Sequence, residues 1–192
     1  MSQAPIRFMP TVKEKQNKMF DTLKGEFKYK NKMQAPKVVK VVLSSATGSI
    51  KDPKKKELIA DRLTKISGQK VSPRAAKKSV ASFKIRQGDQ IGYQVTLRGP
   101  RMFDFLEKLV NVSLPRTRDF RGVKLSALDD LGNFTLGIKE HTIFPETSDE
   151  ELKDVFGLAV TIVTTSKDKK QTEKFLESLG FVFRKTEANQ TK

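Results

Sequence analysis

The chain contains no cysteine, no tryptophan and a single histidine among its 192 residues. Without cysteine there is no disulfide framework, no zinc ribbon and no thiol nucleophile. With His141 alone, no histidine pair can bind a metal, and a serine–histidine–aspartate arrangement would have to be assembled around that one ring. Phosphate-binding glycine motifs are missing too. Gly48 is followed by Ser-Ile-Lys rather than the Gly-Lys-Ser/Thr that ends a phosphate loop, and no dinucleotide fingerprint occurs. Long apolar runs are equally scarce: the longest, 155–163, is broken by Gly157 and Thr161 and falls well short of the roughly 20 residues of a membrane helix. Residues 1–18 are interrupted by Pro5 and Pro10 and hold no apolar segment of secretory length. The expectation is a soluble, intracellular protein with no membrane partner, no metal, no cofactor and no small-molecule substrate.

Cations are what the chain has in excess. Lysine and arginine number 38 against 22 acidic residues, a formal charge of +16. Such a surface repels itself unless a polyanion offsets it, and release of condensed counterions from nucleic acid would drive that association; an anionic membrane surface and mere solubility are the alternatives. Apolar residues at 36%, with 13 phenylalanines, still suffice for an ordered core.

Local signals set out the elements. Thr11 and Glu14 have capping-box spacing, and Val12, Met19, Phe20, Leu23 and Phe27 share one helical face opposite Lys13, Lys15, Lys18 and Lys24. The β-branched run Val38–Leu43 reads as a buried strand. Asp52 and Pro53 open a second helix with the stripe Leu58, Ile59, Leu63 and Ile66, and Gly68 ends it. From Phe83 the pattern alternates: Phe83, Ile85, Ile91, Tyr93, Val95 and Leu97 face the core, with Lys84, Arg86, Gln94, Thr96 and Arg98 opposite. Gly88 and Asp89 turn a hairpin within this stretch or bulge one long strand. Pro100 opens a helix with Met102, Phe103, Phe105, Leu106, Leu109 and Val110, and Pro115 lies beyond its end. Strands are expected at Phe134–Ile138, Leu158–Thr165 and Phe181–Phe183, and a helix at Thr172–Leu179 closed by Gly180.

The fold class these imply is α+β: a single domain with a mostly antiparallel sheet, helices packed on one face and a projecting basic loop. The domain is expected at residues 11–185, with flexible arms at 1–10 and 186–192. Ser148 with Glu151 reads as another capping box, so Asp149 and Glu150 are first-turn carboxylates rather than a catalytic pair. Asp129 and Asp130, next to Gly132 and Asn133, read as a turn. No residue is assigned a catalytic role, and the chain is not expected to be an enzyme.

Two basic stretches stand out. Lys70, Arg74, Lys77, Lys78, Lys84 and Arg86 surround a segment, Ser72–Ser82, of small residues without apolar periodicity. It is expected to project as a flexible loop whose cations reach phosphates without reading sequence, or to be merely solvated. Arg116, Arg118 and Arg121 cluster around Asp119 and Phe120, where arginine can fork onto phosphate or stack on bases, Asp119 can pin one guanidinium, and Phe120 can stack on a base or, the simpler reading, anchor in the core.

Strung along residues 19–185, the words Ser67-Gly-Gln-Lys70, Lys78-Ser-Val-Ala81, Phe83-Lys-Ile-Arg-Gln-Gly88, Val95-Thr-Leu-Arg-Gly99, Pro115-Arg116, Arg118-Asp-Phe-Arg-Gly122, Gly132-Asn133 and Ile143-Phe-Pro-Glu146 resemble the bacterial L-five (L5) family of large-subunit ribosomal proteins. The resemblance implies a cytoplasmic, ribosome-bound protein that binds 5S ribosomal RNA in the central protuberance and touches 23S ribosomal RNA. It implies a 5S site of Ser44, Gln69, Lys70, Arg86, Gln94, Thr96 and Arg98. The basic loop would reach transfer RNA in the peptidyl site through Arg74, Lys77, Lys78 and Ser79. Arg116, Arg118, Arg121 and Lys139 would belong to an intersubunit bridge with small-subunit ribosomal protein S-thirteen. One position departs from the family: Ser44 stands where an asparagine is usual, giving one hydroxyl in place of a paired donor and acceptor. The alternative is a free-standing RNA-binding regulator or chaperone that uses the same charged sheet.

Overall fold

In a computed structural model, which describes residues 10–50, 52–118, 120–147 and 155–184, Thr11 caps the first helix as its spacing predicts. The Thr11 hydroxyl accepts the Glu14 N–H and the Glu14 carboxylate accepts the Thr11 N–H, each at 3.3 Å. Helix α1 then runs Val12–Phe27 and buries Val12, Met19 and Leu23. Asp52 accepts the Lys54 N–H at 3.0 Å to start α2 (Pro53–Ser67), and Gly68 ends it in the left-handed conformation at φ +65°. Helix α3 (Gly99–Lys108) is prolonged by a π turn, Leu109–Ser113, before Pro115 stops it. Helix α4 (Lys169–Leu179) closes on Gly180.

Five strands form one sheet, wholly antiparallel, in the order β2-β3-β1-β5-β4: β1 Val38–Ala46, β2 Ser72–Ala75, β3 Gln90–Leu97, β4 Phe134–Ile138 and β5 Leu158–Thr164. The period of two decides the layering. Val41, Leu43, Leu97, Val160, Ile162 and Phe134 are fully enclosed, and α3 packs on β1 and α2 on β3 over that side. Burying each such side chain contributes about 1.5–3 kcal/mol. A one-residue slip would carry the whole set into solvent, so the register is fixed by the core.

Three expectations need correction. Ser72–Ala75 is not loop but the edge strand β2, held by pairing with β3; Pro73 suits that place because an edge strand can spare one N–H. Phe83 is not a core residue. It lies in a 3-10 turn, 74% exposed, and β3 begins only at Gln90. Phe181–Phe183 adds no strand to the sheet and makes a single parallel bridge, Phe183 to Val123. The Ser148–Glu151 capping box, the Asp119 contact, the tail at 186–192 and the N-terminal arm up to residue 9 lie outside the described residues.

Candidate RNA interface

The side of the sheet away from the helices is built mostly from small, hydroxyl, amide and cationic side chains, with Val42 and Val163 among them. Across the register, Ser72, Gln94, Ser44, Ala159 and Gly137 form one row, and Thr96, Val42, Thr161 and Thr135 the next. Arg74, paired with Gly92, flanks the first row, and Lys40, paired with Val163, extends the second. Gly92 is required between Arg74 and Ala46, because a Cβ there would lie 2.7 Å from the Ser45 carbonyl oxygen and push β1 and β3 apart. Thr135 and Thr161 share a hydrogen bond at 3.2 Å. Among the described residues, the side chains of Ser44, Gln94 and Thr96 engage no hydrogen-bond partner, although each is half-buried. Three polar groups are thus held in place by strand pairing and left with their hydrogen-bonding capacity unspent.

The structure brings Ser44, Gln94 and Thr96 onto adjacent rows of one face. Gln69 and Lys70 lie in the short link between Gly68 and β2, and exposed Arg98 follows β3 at the start of α3. Arg86 is elsewhere, on the hairpin joining β2 to β3, where its N–H donates to the Asp89 carboxylate at 2.7 Å. Arg74 moves the other way, from the expected loop onto the sheet. Lys40, Thr161 and Thr135 went unread in the sequence; their odd-even parity against buried Val41, Ile162 and Phe134 is the signal that finds them.

The hairpin, residues 76–89, is braced by its own hydrogen bonds. Ala76 donates its N–H to the Asp89 carbonyl at 2.8 Å and accepts that of Gly88 at 3.0 Å, while Val80 and Ile85 exchange bonds at 2.9 and 3.2 Å. The Ser79 hydroxyl accepts the Gln87 N–H at 2.9 Å, so Ser79 supports the hairpin from within. Lys77, Lys78, Lys84 and Arg86 stay exposed around it.

At the opposite edge of the sheet, a cleft of about 450 Å³ separates β4 from the segment 114–127. Arg118, Lys124 and Lys139 line it together with Leu136, Ile143 and Phe120. Arg116 and Arg121 are exposed nearby in sequence but do not line it, so the arginine cluster divides. Phe120 packs against the core, as expected of an anchor.

His141 is fully enclosed, stacked on Phe156 at 4.1 Å between ring centroids, and its Nδ1 accepts the Phe156 N–H at 3.3 Å. That is a packing role. Among the described residues, no three His, Cys, Asp or Glu groups converge on a possible metal position, and no helix is long and apolar enough to cross a membrane.

A basic α+β domain whose helix-free sheet face presents unspent hydrogen-bonding groups has the features of a structural, RNA-binding protein. The family model described as ribosomal protein L5 matches residues 31–86, and that of the ribosomal L5P family C-terminus matches residues 90–183. The chain belongs to the ribosomal protein L5 family, a family of non-enzymatic ribosomal components. Relatives named large ribosomal subunit protein uL5 agree. That of Flavobacterium johnsoniae is 44% identical over 182 residues, covering 94% of this chain and 100% of the relative. That of Desulfatibacillum aliphaticivorans is 51% identical over 164 residues, covering 85% and 92%. That of a Thermoanaerobacter species is 46% identical over 179 residues, covering 92% and 100%.

Proposed function

We propose that this chain is a constituent of the large ribosomal subunit that binds 5S ribosomal RNA on its open sheet face and ties it to 23S ribosomal RNA in the central protuberance. The RNA-binding unit is residues 11–185. The observation that carries the reading is the trio Ser44, Gln94 and Thr96, hydrogen-bonding groups without partners of their own among the described residues, set in a protein of charge +16. Ribose hydroxyls and base edges take such groups, and phosphates take the cations around them. Ser44 is short, so a bridging water completes the contact that an asparagine would make directly.

The braced hairpin reaches transfer RNA in the peptidyl site through Lys77 and Lys78, while Arg74 stays with the sheet. The cleft bordered by Arg118 and Lys139, with Arg116 and Arg121 beside it, meets small-subunit protein S-thirteen and forms an intersubunit bridge.

Incubated with total ribosomal RNA, the chain is expected to retain 5S RNA saturably, with at least about tenfold preference over a duplex of equal charge at matched salt. Equal affinity for both, or failure to sediment with large subunits, would point instead to a free-standing RNA-binding regulator. Replacing Lys77 and Lys78 together by alanine is expected to leave 5S affinity within about twofold and to weaken transfer RNA binding in the peptidyl site by roughly tenfold. Filter binding and ribosome toe-printing measure the two effects. A collapse of 5S affinity in the double variant would show that the hairpin belongs to the 5S site.

A further inference from the structure

Of the described aromatic residues, Phe83 alone is exposed, at 74%. The fold holds it there. The turn Ala81–Phe83 is closed by Lys84 at φ 52°, a left-handed conformation that a lysine rarely adopts. The Val80–Ile85 pair and the Ser79–Gln87 contact brace the limbs behind it. Lys77, Lys78, Lys84 and Arg86 are all exposed on the same hairpin. A protein partner for this tip would have to be both apolar and strongly acidic, whereas RNA supplies phosphates for the cations and a planar π-face for the ring.

We propose that Phe83 is a stacking platform for an exposed nucleobase of the RNA that the hairpin touches. The inference rests on the reading of the hairpin as an RNA-contacting element. The lysines fix the backbone of the RNA by charge, and the ring, held out at the tip, covers one face of a base that is not enclosed in a helix. Stacking of this kind tolerates any base, so Phe83 contributes affinity and position rather than sequence preference.

The full-length Phe83→Trp variant places the only tryptophan of the chain at the tip, so its fluorescence reports that position alone. Titrated with single-stranded oligouridylate it is expected to be quenched; a long RNA duplex, whose base faces are occupied, is expected to bind by charge without quenching. Phe83→Leu is expected to weaken oligouridylate binding on the order of tenfold with an unchanged salt slope, and Phe83→Tyr to restore it. Lys77→Ala with Lys78→Ala should instead lower the slope of log affinity against log salt, by about 1–2.

Full affinity in Phe83→Leu, or saturating oligouridylate binding without quenching in Phe83→Trp, would overturn the proposal. So would unchanged RNA affinity combined with lost ribosome association, which would assign the ring to a protein partner. Because the probe is oligouridylate, loss of 5S preference in the wild-type chain would remove the ribosomal reading while leaving the quenching result to decide the role of Phe83.

Discussion

Thr96→Glu is expected to abolish 5S RNA binding while leaving the protein folded. Thr96 sits on the open face opposite Val42, half-buried and outside the apolar layer, and its neighbours Val95 and Leu97 keep their places in the core. The strand therefore tolerates the longer side chain at a cost below about 1 kcal/mol, the span of strand propensities. RNA does not tolerate it. A carboxylate set against ribose and phosphate meets like charge at contact distance, a penalty of several kcal/mol, or at least a hundredfold in affinity. Thr96→Ala, which removes only the hydroxyl, is expected to lose about tenfold. Filter binding gives the affinities and a thermal melt the fold. Undiminished 5S binding by the glutamate variant would take the RNA off this face.

Gly132→Ala is expected to cost the fold about 3–6 kcal/mol. The residue closes the 129–132 turn at φ +79°, and a Cβ there would run into the Ser166 carbonyl oxygen and lie 3.0 Å from the Thr172 hydroxyl. Backbone cannot yield as a flexible side chain does. The Gly132 carbonyl also accepts the Thr164 hydroxyl at 2.6 Å, so moving the turn breaks the bond that joins it to β5. Left-handed strain, forced contact and the lost hydrogen bond each amount to about 1–2 kcal/mol. For a chain of this size the sum corresponds to a fall of roughly 10 °C in Tm, read by circular dichroism. Leu131→Ala, one residue away and 73% exposed, is expected to shift stability by no more than about 0.5 kcal/mol. Equal melting of the two variants would show that the turn gives way without cost.

The elements that the sequence announces are those whose causes are local. Thr11, Asp52, Gly68 and Gly180 cap helices within four residues of their own positions, so spacing alone finds the ends. The strands β1, β4 and β5 show in their β-branched or apolar runs, because burial of one face selects those residues. The strand β2 does not. Ser-Pro-Arg-Ala has neither alternation nor apolar content, and it is extended only because β3 offers it an edge.

Phe83 misleads for a related reason: it continues the odd-numbered apolar series into β3, but Gly88 at φ +93° breaks the phase between them. The site was partly legible. Ser44, Gln94 and Thr96 emerge together because strand parity puts them on one face, whereas Arg86 is separated from them by the hairpin and Arg74 joins them through β2. Thr161 was hidden inside an apolar run where only register tells the two sides apart.

The strand order has a consequence in time. Strand β1 lies in the middle of the sheet, yet one of its two neighbours is β5, so that the Ser45 hydroxyl reaches the Gly157 carbonyl across 112 positions of the chain. At about 5–20 residues per second, translation needs roughly 6–22 s to cover that distance. From the making of β3 until that of β5, the newborn polypeptide can close β1 against β3 but not against β5, and it carries an open, sticky edge at what will become its centre. Shelter during synthesis is therefore needed most between the making of β3 and that of β5, and the sheet is completed only when β5 arrives.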